Sequence, residues 1–428
     1  MLNLKTIAKI IGALLGLEAL LMSVCLCVSL LYQDKDTIAF IWSILITIVA
    51  GGAFRLMGRH ANNTISRRDA YFVVAVTWII FSLFGTLPFL ISGHITSFTN
   101  AFFETMSGFT TTGASIVDFP EHFPKGLLFW RSLTQWIGGL GIVFFTIAIL
   151  PSLVGGSLKV FAAEATGPIK SKLHPRLSMG AKWIWMVYFV LTAACVVSYK
   201  VCGMNWFDAF NYAMTSTATG GFSTESASIA TFHSPAEEYV CTIFCFLSGV
   251  NFTLLYTSVA GFKLKAMLKN SEFKFYAAMT AGFTLFIMLE LIFRCNYEVE
   301  HAFRSSAFQV VSFITTTGLF SDDAAKWPHV TWVVLAACMF FGGSSGSTSG
   351  GIKSIRGVML VKVIKNEFRQ ILHPNAVLPM KVDGYNVQMS KRVTLLAFIG
   401  LYLFLAVICA FTMIAAGAQS TKPMKITH

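Results

Sequence analysis

Long uncharged runs restrict this chain more than any other feature in it. A helix needs about 20 apolar residues to cross a bilayer. Nine segments approach or exceed that length: residues 7–31, 37–54, 71–91, 132–150, 183–199, 239–262, 275–293, 327–352 and 393–417. The first has no small-residue cleavage site close behind it, so it reads as a retained span and not a signal peptide. Charged residues make up 12% of the chain, against about 25% in soluble domains. A soluble enzyme domain, a disordered chain and a disulfide-stapled secreted scaffold are thereby excluded. The expected class is an all-α polytopic membrane protein. The nine cysteines form no CxxC pair and no zinc-type cluster. Cys241 and Cys245 share a helix face in an apolar stretch and read as small packing residues.

The net charge of +12 would suggest nucleic acid in a soluble protein. Here its distribution reports topology instead. With the N-terminus inside and each span crossing once, the inner segments hold 23 of the 32 basic residues. They carry only Asp69, Glu164, Glu272, Glu367 and Asp383 of the acidic ones. Basic residues collect on the cytoplasmic side, so the N-terminus is expected there.

Three segments between spans, 97–106, 206–214 and 301–311, are too apolar for simple loops and too short to cross. Each follows an outward span and precedes an inward one, and reads as a re-entrant half-helix. Non-helical backbone at membrane depth must be buried in protein or line a watery cavity. Aligning Gly113, Gly221 and Gly318 exposes an ungapped repeat. Gly-Phe-Thr-Thr-Thr, Ser-Thr-Ala-Thr-Gly and Phe-Ile-Thr-Thr-Thr run into these glycines, with Ser107, Thr215 and Ser312 six residues upstream. The spacings are 108 and 97 residues. Parallel units of this kind are related by an axis along the membrane normal, which aims three polar loops at one centre.

The residue types at that centre suit a monovalent cation. Backbone carbonyls replace a hydration shell, and glycine permits the backbone angles that aim them inward. Threonine adds oxygen without charge, and the half-helices would present their partially negative C-terminal ends. Glu104, Asp118, Glu121, Asp208, Glu225, Glu300, Asp322 and Asp323 are expected to flank the mouths. A membrane enzyme would need acid–base constellations at membrane depth. Only Glu18 and Glu290 qualify, neither with a partner expected at helical spacing, so no enzymatic activity is expected.

With these segments in hand, the chain resembles the TrkH/KtrB superfamily of potassium transporters, and specifically its TrkH branch. The match lies in residues 102–115 (FFETMSGFTTTGAS), 131–151 (RSLTQWIGGLGIVFFTIAILP), 217–224 (TATGGFST), 308–319 (FQVVSFITTTGL) and 342–356 (GGSSGSTSGGIKSIR). The resemblance implies a pseudo-fourfold array of helix–pore loop–helix repeats behind two extra N-terminal helices. It implies potassium binding by the backbone of Thr110, Thr111, Thr112 and Gly113, of Ala218, Thr219, Gly220 and Gly221, and of Thr315, Thr316, Thr317 and Gly318. Among these, Thr111, Thr112, Thr219, Gly220, Thr316 and Thr317 are the leading ion ligands. It also implies uptake across the cytoplasmic membrane, a homodimer, and a cytosolic TrkA-type nucleotide-binding regulatory ring. Basic segments 159–182 and 353–392 could supply the docking surface. No covalent cofactor and no nucleic-acid partner are implied.

Residues 342–351 place five glycines and five Ser/Thr inside the uncharged run 327–352. Each glycine costs a helix up to about 1 kcal/mol relative to alanine, so the helix is expected to break there. Gly346 and Gly351 have phosphate-loop spacing, but Ile352 stands where the lysine belongs and no sheet strand precedes it. A movable intramembrane loop fits better. The resemblance makes it a gate, comprising Gly342, Gly343, Gly346, Gly350, Gly351 and Lys353.

The expected units are an N-terminal helix pair (1–68), three pore repeats (69–180, 181–272 and 273–390) and a partial fourth (391–428). A fourth glycine would fall near 415–426, yet Gly417 lacks a Thr/Gly approach and no half-helix follows it. The fourth repeat is therefore expected to be incomplete, with nine spans where the family has ten. Two alternatives accompany potassium uptake. One is a sodium-coupled or sodium-permeable relative, whose sign would be serine at a filter glycine. The other is a non-conducting truncated product.

Overall fold

The computed structural model describes residues 2–59, 61, 66–141, 177–259, 261, 264–376 and 378–416. Helices α1 (Leu4–Tyr32) and α2 (Thr37–Met57) form an antiparallel pair. Small residues let their backbones touch: a Cβ added at Gly12 would lie 2.6 Å from the Gly51 carbonyl oxygen. Close approach at glycine is how apolar helices gain packing energy without a hydrophobic driving force. Next come α3 (Arg67–Gly85) and the short α4 (Leu87–Ile91). A reciprocal Ser66–Asp69 capping box starts α3.

Three units follow the same pattern. In the first, the half-helix α5 (Phe98–Phe109) turns back into α6 (Lys125–Gly139). The expected span 132–150 continues from α6 into 142–150, which lie outside the described residues. In the second, α7 (Leu177–Val201) leads to the half-helix α8 (Trp206–Ala218), then to α9 (Pro235–Ser248) and α10 (Phe252–Val259). A short α11 (Leu264–Lys269) connects to the third unit. There α12 (Ser271–Cys295) leads to the half-helix α13 (Val299–Ile314), α14 (His329–Phe340), the Gly-rich loop and α15 (Ser354–Leu372). A hairpin of β1 (Lys381–Val382) and β2 (Tyr385–Asn386) precedes α16 (Met389–Ala415).

Among the described residues, six helices are long and apolar enough to cross a membrane, or seven if the bent α9–α10 pair is one span. That bend of 102° corrects the reading of 239–262 as a straight span. Its cause is local. The Asn251 side-chain oxygen accepts from the Leu254 N–H at 3.1 Å and caps α10, and the Phe252 N–H is drawn away to the Gly346 carbonyl at 3.1 Å. The half-helices also run three to four residues further toward their glycines than expected. Their hydroxyls bond back to the preceding turn, as in Thr110 to Met106 O (2.6 Å), Thr217 to Ala213 O (2.7 Å) and Thr315 to Val311 O (2.6 Å). These hydroxyl residues are thus held in the last helical turn.

The middle unit lies at the centre: every residue from Asn211 to Gly220 is buried. By contrast α16 lies at the periphery, with only 6% of its apolar window covered.

Candidate ion pathway

The three half-helices end in one and the same way. In the first, Thr111 N–H donates to Gly108 O (2.9 Å) and Thr112 N–H to Ser107 O (2.9 Å). In the second, Thr219 N–H reaches Ser216 O (3.2 Å) and Gly220 N–H reaches Thr215 O (2.9 Å). In the third, Thr316 N–H reaches Phe313 O (3.1 Å) and Thr317 N–H reaches Ser312 O (2.8 Å). This pair of bonds is a Schellman cap, which requires a left-handed residue and usually recruits glycine for it. Here that residue is threonine each time: Thr111, Thr219 and Thr316 have φ of 52°, 53° and 58°. A β-branched residue at positive φ is a steric outlier costing about 1–3 kcal/mol. Such strain persists only where the surrounding structure imposes it, and here it recurs three times in register.

Two residues on, Gly113, Gly221 and Gly318 also take positive φ, of 76°, 84° and 84°. Alternating left-handed residues rotate successive peptide planes, so neighbouring carbonyls can share one face; in an extended strand they alternate. The segments form no sheet ladder. In the first and third loops a serine fixes the carbonyl beyond the glycine. Ser107 Oγ donates to Ala114 O (2.5 Å) and Ser312 Oγ to Leu319 O (2.6 Å).

The loops lie side by side in rotational order. A Cβ added at Gly113 would sit 2.1 Å from Gly220 O, and one added at Gly221 would sit 2.0 Å from Thr317 O. Each glycine thus abuts the carbonyl just before the next unit's glycine. A Cβ at Gly318 would meet nothing within 4 Å among the described residues.

Two α6 residues lock the first loop to the second, and the sequence reading assigned neither a role. Gln135 is fully buried; its Nε2 donates to Gly220 O (2.8 Å) and its Oε1 accepts from Phe222 N (3.0 Å). The Arg131 guanidinium pairs with Glu104 through Nε (2.8 Å), and donates to Ser115 Oγ (3.1 Å) and Ser223 O (3.0 Å). It also lies 4.4 Å from the Phe222 ring centroid. Their polar character inside an apolar run, in RSLTQW, was the available signal.

These contacts correct the expectation that the eight acids simply flank the mouths. Glu104 is 1% exposed and spent on Arg131, Ser115 and the Ile116 N–H. Asp208 is buried and accepts from Thr224 Oγ1 (2.6 Å). Asp322 accepts from Tyr297 and Trp327, and Glu300 from Tyr239 and Arg304. Asp118 and Asp323 remain outside, the latter 3.5 Å from Lys326. Glu225 is half-buried beside Asp208 and Glu121; burial first, then those like charges, raises its pKa above the usual range. Glu290 also differs from expectation, because it pairs at helical spacing with Arg294 (2.8 Å). Glu18 is fully buried, and neither carboxylate oxygen has a hydrogen-bond partner among the described residues. Cys241 and Cys245 are buried free thiols 3.8 Å apart.

The Gly-rich segment lies directly against these loops. Gly350 N–H donates to Thr316 Oγ1 (2.7 Å), and Thr348 Oγ1 donates to Thr217 O (2.9 Å) and Ser248 O (3.2 Å). Its ends are drawn together by Gly342 N–H to Ile352 O (2.8 Å) and Ser354 Oγ to Gly342 O (2.6 Å). Gly343 is pressed onto the α9–α10 break, where an added Cβ would lie 2.6 Å from Gly249 O. Gly346 and Gly351 take positive φ of 77° and 69°. Lys353 is not a free inner-surface charge. It is 6% exposed and donates through Nζ to Ser349 O (2.6 Å) and Ser347 O (3.4 Å), filling the loop from within.

Comparison with known proteins agrees with this architecture. The family model described as TrkH, cation transport protein, matches residues 37–421. A Trk system potassium uptake protein TrkH from Halomonas elongata is 35% identical over 427 residues, covering 99% of this chain and 88% of that protein. The Trk system potassium uptake protein TrkH of Escherichia coli K12 is 33% identical, with 97% and 87% covered. The crystal structure of the potassium transporter TrkH from Vibrio parahaemolyticus superposes with a TM-score of 0.87 at 33% identity, covering 96% of this chain and 86% of that one. This chain is an all-α polytopic membrane protein and belongs to the TrkH family of cation transport proteins.

Proposed function

We propose that the chain takes up potassium across the cytoplasmic membrane through the three described loops, and that the Gly-rich segment gates the pathway. The observation that carries this reading is the threefold recurrence of a left-handed threonine and a left-handed glycine in adjacent loops. The filter is assigned to residues 110–113, 218–221 and 315–318, with Thr111, Thr112, Thr219, Gly220, Thr316 and Thr317 as the potassium ligands. Rings of backbone carbonyls dehydrate a monovalent cation without binding it too tightly to leave. The relatives named for potassium uptake support the choice of ion. All three glycines are retained, so the sodium-permeable alternative lacks its expected serine.

The gate comprises Gly342, Gly343, Gly346, Gly350, Gly351 and Lys353. Its contacts with Thr316 and Thr217 support this reading, because a segment bonded there would obstruct an ion leaving the loops. The basic residues of the inner segments support a cytoplasmic N-terminus. The proposed units are 1–68, 69–180, 181–272, 273–390 and 391–428. The Trk names of the relatives also motivate a homodimer working with a cytosolic TrkA-type regulatory subunit.

The test is flux in reconstituted vesicles, with potassium and sodium compared in the same preparation. Potassium preference is expected, and deletion of residues 344–349 should raise flux in protein that stays monodisperse. Equal flux of both ions would refute the filter assignment. A well-folded deletion variant with unaltered flux would remove the gate.

A further inference from the structure

One carboxylate ties the Gly-rich loop to the helix that follows it. Glu272, in the first turn of α12, accepts through Oε1 from Ser345 N–H at 2.5 Å and from Ile355 N–H at 3.2 Å. The first donor lies inside the loop and the second in the first turn of α15. Glu272 is 7% exposed, so these bonds are shielded from water. Both backbone donors share this one oxygen, and a buried N–H left without an acceptor is costly. Asn251, at the α9–α10 break, holds the Ser345 carbonyl from the other side.

The helix end bearing Glu272 is itself held by the hairpin. Asp383, at the hairpin turn, accepts from Ser271 N–H through Oδ1 (3.0 Å) and from Asn270 Nδ2 through Oδ2 (3.3 Å). Asn270 in turn caps α12 by accepting from Phe273 N–H at 2.9 Å. Asp383 and Gly384 take φ of 46° and 82°, the angles a tight Asp-Gly hairpin requires. The hairpin packs against α15. Met380, Val382 and Val387 are buried in a cluster with Ile355, Val358 and Met359, and Lys362 Nζ donates to Lys381 O at 2.7 Å. Yet its outer face is open, with Tyr385 64% exposed.

We propose that Glu272 is the latch holding the Gly-rich loop in place, and that the hairpin 381–386, through Asp383, holds the helix end that carries it. This rests on the gate reading above. Asp383 and Glu272 are positioning residues: neither touches the filter loops, so releasing them should change how much ion passes without changing which ion. Displacing the hairpin would remove the Ser271 and Asn270 acceptor, loosen the first turn of α12 and withdraw the Glu272 oxygen from Ser345.

The test uses the full chain in vesicles with Glu272→Ala, Glu272→Gln, Asp383→Asn and the Glu272→Ala/Asp383→Asn double variant. A thiol introduced by Ser345→Cys reports loop exposure through its rate of modification. Basal flux and modification rate should each rise about tenfold in Glu272→Ala, as expected for losing one buried acceptor. The rise should be smaller in Glu272→Gln and Asp383→Asn, at an unaltered potassium-to-sodium ratio. The double variant should match Glu272→Ala alone, because both residues act on one contact. Should Glu272→Ala fail to fold, Glu272→Gln and the exposed Asp383→Asn still decide the matter. Raised flux on deleting 344–349 with no effect of these substitutions would overturn the latch while leaving the gate intact. No effect of the deletion would overturn the gate reading itself.

Discussion

Alanine at each glycine of the proposed filter separates backbone strain from crowding, because the three positions share a conformation and differ in their surroundings. All three have positive φ, so an added side chain costs about 1–2 kcal/mol wherever it is placed. At Gly318 that is the cost expected, since the new Cβ meets nothing within 4 Å among the described residues. At Gly113 and Gly221 the Cβ would lie 2.1 and 2.0 Å from the Gly220 and Thr317 carbonyl oxygens, where real contacts essentially never fall under 3.0 Å. Those carbonyls must retreat by about 1 Å, and a displacement of that size at a working group costs about 100-fold. Gly318→Ala is therefore expected to lower the potassium-to-sodium flux ratio by about fivefold to at most about thirtyfold, taking 1.4 kcal/mol as one decade. Gly113→Ala and Gly221→Ala should come close to abolishing it. The assay is paired potassium and sodium flux in vesicles, with monodispersity checked before reconstitution. If Gly318→Ala is as damaging as Gly221→Ala, or if all three leave the ratio unchanged, the geometric reasoning is wrong.

Gln135→Leu removes the brace on Gly220 O and Phe222 N, leaving two buried polar groups unpaired at about 1–3 kcal/mol each. Its flux ratio should fall while Gln135→Glu, which keeps the Phe222 acceptor, falls less. Arg131→Met strands a buried Glu104 and should cost about 3–5 kcal/mol, read as a lowered melting temperature. Pairing it with Glu104→Gln should restore part of that loss. Thr316→Val keeps the side-chain shape but removes the hydroxyl that accepts from Gly350 N–H and donates to Thr315 O (2.6 Å); basal flux should rise, and unchanged basal flux would count against a loop-to-filter contact.

How much of this was legible beforehand follows from what each feature depends on. Spans, half-helices and the repeat are encoded in local composition, since apolar length and hydroxyl–glycine runs act within one segment. Gly113, Gly221 and Gly318 were readable for the same reason: each meets a local need for positive φ. The break at 342–351 followed from glycine content alone. Other features depend on partners distant in the chain. Glu104 looked like a mouth acid because nothing nearby in sequence announces Arg131, 27 residues on. Gln135 and Gly220 are 85 residues apart, and Glu272 and Ile355 are 83. The 102° bend at Gly249–Asn251 arises partly because the Gly-rich loop, almost a hundred residues later, claims the Asn251 amide and the Phe252 N–H. The left-handed threonines belong to the same class: their own chemistry disfavours the angle, so a cap and neighbouring loops must impose it. The sequence by itself determined which segments enter the membrane and where the backbone must turn, because both are settled by residue chemistry within a few residues. Only the tertiary structure decided which polar groups face the pathway and which brace it, because each buried charge or amide takes its role from the partner that folding brings within about 3 Å.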